Sequence, residues 1–164
     1  MIRTLLRFLL IPILLVGLLT GCSQKIEPVP NTYSQLLTGT EKKTWKLVSL
    51  QVFDNGQGSG VIPVQNGLNP CIADDLYTFY ANDERKFELN EGSVKCNATN
   101  PDLLLTDSWT LINADASLEF PLRVLGGSFP WTIKNLTASV LTIEYYFSDI
   151  NASYRFTFNA TSSK

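Results

Sequence analysis

From residue 44 onward, apolar and polar residues alternate with a period of two. Leu141, Ile143, Tyr145 and Phe147 interleave with Val140, Thr142, Glu144 and Tyr146, and Tyr154, Phe156 and Phe158 interleave with Arg155, Thr157 and Asn159. Leu118, Phe120, Leu122 and Val124 alternate in the same way with Glu119, Pro121 and Arg123. Successive side chains of a strand point to opposite faces, so this is the pattern of antiparallel strands with one face on a core and one in water. Eight such runs are present: 44–52, 76–81, 86–91, 108–113, 117–125, 131–136, 140–147 and 154–160. Most connections are short and carry turn chemistry, as in Asn113-Ala114-Asp115-Ala116 and Gly126-Gly127-Ser128. The pattern therefore predicts an all-β, antiparallel up-and-down meander. Eight strands with one apolar face each can close into a barrel and so remove their edges. The interior of such a barrel is just wide enough to be filled by side chains or to hold one small ligand. A two-sheet sandwich shares the same periodicity and stays open at this point.

The N-terminus follows a different pattern. Arg3 and Arg7 precede an apolar run over residues 8–19, the arrangement of a secretory signal. Those twelve residues would span about 18 Å as a helix, short of a hydrocarbon core of roughly 30 Å. The run ends in Leu19-Thr20-Gly21-Cys22, which resembles the lipobox of bacterial lipoproteins. That resemblance implies a diacylglyceryl group on the Cys22 thiol, cleavage before Cys22, and acylation (palmitate or similar) of the new amine. Two or more acyl chains hold a protein stably on a membrane. Ser23 after the cysteine resembles the outer-membrane sorting pattern, which places the mature protein in the cell envelope. Residues 23–31 are polar, with Pro28 and Pro30, and read as a tether; a short helical turn is expected at 33–37. The expected organisation is a signal peptide at 1–21, a lipidated N-terminus and tether at 22–40, and one β-barrel domain at 41–164.

Charge narrows the choice of partners. Of the 13 Lys+Arg, Arg3 and Arg7 leave with the signal, so 11 stand against 15 Asp+Glu in the mature chain. This mild acidity argues against nucleic acid, which needs a clustered basic face. It equally argues against electrostatic adhesion to anionic lipid, leaving membrane attachment to the covalent anchor.

With Cys22 lipidated, Cys71 and Cys96 form an even pair in an oxidising compartment, and a disulfide is the simplest assignment. Closing that loop of about 25 residues would stabilise the fold by roughly 3–4 kcal/mol. The two cysteines lie symmetrically about Asp83 and Glu84, the expected turn between the second and third strands. Either Tyr80 or Phe79 faces Phe87 across that hairpin, and a one-residue slip would swap faces.

At this point the chain resembles the lipocalin-like lipoproteins of Gram-negative envelopes. The residues that carry the likeness are Leu37-Thr38-Gly39, Thr44-Trp45-Lys46-Leu47, Cys71, Asp74-Asp75, Tyr77-Thr78-Phe79, Cys96, Ser108-Trp109-Thr110-Leu111 and the closing Tyr154-Arg155-Phe156-Thr157-Phe158. It covers roughly residues 36–160. The lipocalin pattern has Gly two residues before its first-strand Trp, and Lys43 stands there in this chain. The resemblance implies an eight-stranded lipocalin/calycin-like barrel, a Trp plugging one end, and a long first loop over the other.

Candidate chemistry is sparse. The chain has no histidine, the usual general base near neutral pH, and no motif pairs a Ser or Thr with an activating group. No catalytic residue, cofactor or metal ligand is assigned, and the protein is not expected to be an enzyme. Asn55-Gly56-Gln57-Gly58-Ser59-Gly60 is glycine-rich, but no helix is signalled behind it to make a phosphate cradle. A lid over the barrel mouth or a plain mobile loop are both consistent with it. Asp74 and Asp75 point to opposite faces if extended, so a turn-stabilising role is preferred to paired catalysis or calcium. Trp45, Trp109 and Trp131 are read as core. Phe79, Phe87, Tyr145 and Phe156 are the candidate ligand contacts, with the Tyr145 hydroxyl as polar partner. The functional expectation is a membrane-anchored carrier of a small apolar or amphiphilic ligand. The alternative is a non-catalytic envelope module that binds glycan or a protein through its surface.

Overall fold

Each of the eight alternating runs forms a strand in the computed structural model, which describes residues 31–163. The expected signal peptide, the lipid-bearing Cys22 and the tether as far as residue 30 lie outside the described residues. In chain order the elements are α1 (Tyr33–Thr38), β1 (Lys42–Asp54), β2 (Gln57–Gly58), β3 (Ile62–Pro63), α2 (Val64–Gly67), α3 (Pro70–Ala73), β4 (Leu76–Tyr80) and β5 (Lys86–Asn90). They continue with β6 (Leu103–Ser108), β7 (Thr110–Ile112), β8 (Ser117–Leu122), a 3₁₀ turn (Arg123–Leu125), β9 (Gly127–Leu136), β10 (Val140–Phe147) and β11 (Ala152–Ser163).

All pairings are antiparallel, in the order β6-β5-β4-β1-β11-β10-β9-β8-β7, with β2 and β3 pairing on β1. The main sheet thus holds nine strands where eight were expected; β6 is the addition. Its two end strands, β6 and β7, are separated in sequence by Trp109 alone, so the sheet curls back on itself into a nearly closed barrel. Phe79 pairs with Phe87, which settles the register of the β4–β5 hairpin in favour of two inward-facing phenylalanines.

The interior is filled by side chains. Trp45, Leu47, Tyr77, Phe79, Phe87, Leu118, Phe120, Leu122, Trp131, Leu141, Ile143, Phe156 and Phe158 are all buried. Phe120 sits within 5.2–6.4 Å, ring centre to ring centre, of Tyr77, Phe79, Phe87 and Trp131, so contacts cross from β4 and β5 to β8 and β9. Tilted and edge-on geometry of this kind adds about 0.5–1.5 kcal/mol per pair beyond area burial.

One end of the barrel is closed by α1. Thr32 and Gln35 form a capping box at its start, and its Leu37 is buried in the core. Trp45 Nε1 donates to the Leu37 carbonyl at 2.9 Å. Lys43 explains itself here: it is buried, its ammonium donates to the Leu36 carbonyl at 2.6 Å and the Ala138 carbonyl at 3.1 Å, and it lies over the Trp45 ring. A cation at a helix C-terminus answers carbonyls that have no intrahelical donor. Burial lowers its pKa. The compact unit accordingly begins at Asn31 and takes in α1.

The other end carries the long β1–β4 connection, which is built rather than loose. Asp54 to Gly58 makes a tight hairpin, with Asn55 and Gly56 both at positive φ. The Ser59 amide then donates to the Val52 carbonyl at 2.7 Å, and β3 pairs with Ser49 and Leu50. The connection therefore lies along the free edge of β1. From there α2 and α3 form a roof, with Val64, Cys71 and Ala73 buried beneath it.

Candidate functional site

The roof leaves a sizeable opening beside β1. It begins at a β-bulge: β1 pairs Leu47 with Phe158 and Ser49 with Thr157 of β11, and Val48 is skipped. On the opposite edge, β4 pairs with β1 only as far as Lys46, and β3 takes over at Ser49. Leu47 and Val48 consequently have no strand partner on that side. Bulges re-aim side chains and end pairing, and they recur beside functional sites. Here the gap opens into a pocket of about 540 Å³ lined by Lys46, Leu47, Val48, Val64, Gln65, Pro70, Ala73 and Asp74. Its walls are mostly apolar, with the Lys46 ammonium, the Gln65 amide, the Asp74 carboxylate and a strand edge as the polar groups. Ligand pockets of some 300–1,000 Å³ with that balance suit small apolar or amphiphilic molecules.

A buried ion network holds the roof in place. The Arg123 guanidinium meets both oxygens of Asp75, Nη1 to Oδ1 at 3.1 Å and to Oδ2 at 3.0 Å, and Asp75 is 0 % exposed. The same guanidinium reaches Glu91 Oε1 at 3.5 Å and Cys96 Sγ at 3.2 Å. Glu91 also accepts from the Cys96 amide at 3.0 Å and from Asn100 at 3.1 Å. Cys71 and Cys96 are disulfide-bonded, which fastens α3 to the segment after β5. Asp74 binds that segment too, accepting from the Val94 amide at 2.9 Å and the Ser93 hydroxyl at 3.2 Å.

Electrostatics follows from burial. Desolvation pushes Asp75 up to about 6, although Arg123 opposes the shift. Glu91 is held below its ordinary value, chiefly by the Cys96 amide. The buried Tyr77 hydroxyl has no hydrogen-bond partner among the described residues, and burial, with the Asp75 charge adding, raises its pKa strongly. Among the described residues, no group of three or more His, Cys, Asp or Glu is arranged to hold a metal ion.

The four residues singled out as ligand contacts occupy the packed interior. Phe79 and Phe87 touch, with ring centres 5.2 Å apart, and Phe156 and Tyr145 each pack against Trp131 at 5.8 and 5.9 Å. The two pairs do not meet directly; Phe120 and Trp131 stand between them. None of the four lines the roof pocket. The chain matches no protein-family model and no curated protein. Function must then be read from the site itself. Of the residues that make that site, Asp74 was singled out in the sequence as turn-stabilising and Lys46 and Leu47 as part of the first-strand likeness, whereas Val48, Val64, Gln65 and Pro70 gave little warning beyond the length of the β1–β4 connection.

Proposed function

We propose that the protein is a lipocalin-like envelope lipoprotein, anchored through lipidated Cys22, whose domain holds a small apolar or amphiphilic ligand in the roof pocket. The meander order, with α1 under Trp45 and a long first connection at the far end, supports the lipocalin-like reading. The observation that carries ligand binding is the mostly apolar opening of about 540 Å³ at the β1 bulge. The barrel centre is occupied by its own aromatic rings, so the pocket, rather than the centre, is the seat of the ligand. An apolar tail would lie over Leu47, Val48, Val64 and Ala73. A polar head would face Lys46, Gln65 and the unpaired strand edge, alongside the Asp74 carboxylate, whose Oδ2 is engaged by Ser93 and Val94.

Titration with a fluorescent long-chain fatty acid tests this reading. Gln65→Trp and Val48→Trp fill the opening from its rim without entering the core, and each is expected to weaken binding at least tenfold. Unchanged affinity in both would remove the pocket as the site. The anchor is tested separately, by mass spectrometry of the mature N-terminal peptide. It should begin at Cys22 with diacylglycerol and a third acyl chain, and Cys22→Ser should release the protein from membranes.

A further inference from the structure

The barrel is closed by Trp109 and open beside it. β6 pairs only with β5, and β7 only with β8. Trp109 fixes the point of divergence: it is buried, its amide donates to the Arg85 carbonyl at 2.9 Å, and its Nε1 donates to the Tyr80 carbonyl at 3.0 Å. On the β6 side of Trp109, β6 and β8 do not pair, which leaves a seam between them.

The backbone of that seam is unequal on its two sides. Antiparallel ladders alternate between hydrogen-bonded and non-hydrogen-bonded pairs. Trp109 and Arg85 form a bonded pair, so Ser108 and Thr106, which face Lys86 and Glu88, turn their amides and carbonyls towards the seam. The Ser108 amide is taken by Asp107 Oδ1 at 2.7 Å. Thr106 presents both of its groups. On β8, the Ala116–Ile133 bond sets the alternation so that Pro121 faces the seam, and proline has no N–H to offer. One edge is blunted and the other is open.

Side chains specify what would fit. Leu105 is 36 % and Leu103 42 % exposed. Leu105 overhangs an opening of about 220 Å³ that it shares with Leu89, Pro121, Leu122 and Arg123. Nearer Trp109 a second opening, of about 350 Å³, is lined by Asp107, Ser108, Thr110 and Glu119. The Asp107 and Glu119 carboxylates form no ion pair among the described residues, whereas Arg123 is already engaged by Asp75 and Glu91. Leu105 and Asp107 are two residues apart and share a face of β6.

We infer that the open edge of β6 is a docking site for an extended peptide of another protein that carries an apolar residue and, two positions away, a Lys or Arg. Backbone pairing with Thr106 gives affinity, and the two side chains give specificity by meeting Leu105 and Asp107. A second copy of this chain is a poorer occupant, because its own Leu103–Ser108 contains no basic residue to meet Asp107.

The test uses the full-length chain in detergent, with the synthetic peptide Ac-Thr-Val-Thr-Lys-Thr-Val-NH2 as probe. Amide exchange read by NMR should show at least tenfold protection of Thr106 at saturating peptide. Replacing the peptide's lysine by glutamate, or N-methylating its central amides, should weaken binding at least tenfold. Thr106→Pro should abolish binding and leave the fold intact, since that amide takes no part in the ladder with β5. Equal binding by Thr106→Pro, equal binding of the glutamate peptide, or no protection of Thr106 would overturn the proposal. Protection that grows with protein concentration alone would also overturn it, in favour of pairing between copies.

Discussion

Two buried charged residues do opposite work at the two ends of the barrel. Lys43 gives hydrogen bonds to carbonyls at the end of α1 and in the β9–β10 turn, and its stem covers Trp45. Lys43→Met keeps the stem and removes the donor, leaving two carbonyls to find other partners; a loss of about 1–3 kcal/mol in denaturant unfolding is expected. Asp75, at the roof, is buried and pushed up to about 6. A carboxyl with a folded pKa above its unfolded value, near 3.9, binds protons more tightly when folded. Its contribution is most favourable below about pH 4 and is lost as pH rises towards 6. Glu91 has the opposite sign: its pKa is lowered, so its contribution is present above its unfolded value and lost as pH falls. Asp75→Asn isolates the first effect. Relative to this variant, the native protein should lose roughly 2 kcal/mol of stability between pH 4 and 7. A flat difference across that range would show that Arg123 fully compensates the buried charge. In the core, Phe120→Ala removes the ring that joins β4 and β5 to β8 and β9, and should cost about 3–5 kcal/mol.

At the scale of elements, the strands that alternate strictly were legible in advance and the others were not. β10 was read from end to end, because Leu141, Ile143, Tyr145 and Phe147 face in while Thr142, Glu144 and Tyr146 face out. β6 was missed because Leu103-Leu104-Leu105 is a continuous apolar triplet followed by Thr106-Asp107-Ser108, and a bulge between Leu89 and Asn90 shifts its register. β9 starts four residues before the expected run, its first turn disguised by Gly127 and Pro130. The expected strand at 117–125 stops at Leu122, where Arg123 turns towards Asp75. The helices α2 and α3, four residues each, are too short to leave a periodicity. The Cys71–Cys96 pairing was accessible from counting and symmetry, and the three tryptophans are buried as read, although Trp109 stands between β6 and β7 rather than within a strand. The candidate site was not legible, because a pocket at a bulge depends on where one neighbouring strand stops and another starts. Since the disulfide fastens α3, one wall of that pocket, its reduction should weaken fatty-acid binding several-fold and lower Tm. Affinity unchanged in the reduced protein would mean that the roof is held by the Asp75–Arg123–Glu91 network alone.

For the whole molecule, aromatic rings occupy the space inside the sheet, and the roof pocket and the seam beside Trp109 both lie where strand pairing is interrupted. One interruption lies at Val48 under the roof, and another beside Trp109. The reading from sequence put a ligand among Phe79, Phe87, Tyr145 and Phe156; the proposed seat is the roof pocket, which none of those four lines. These two locations are separated most directly by paramagnetic NMR with a spin-labelled fatty acid bound to the full-length protein. Line broadening centred on Lys46, Val48, Val64 and Ala73 is the predicted result. Broadening centred on Phe79, Phe87 and Phe156, with the roof residues unaffected, would contradict it.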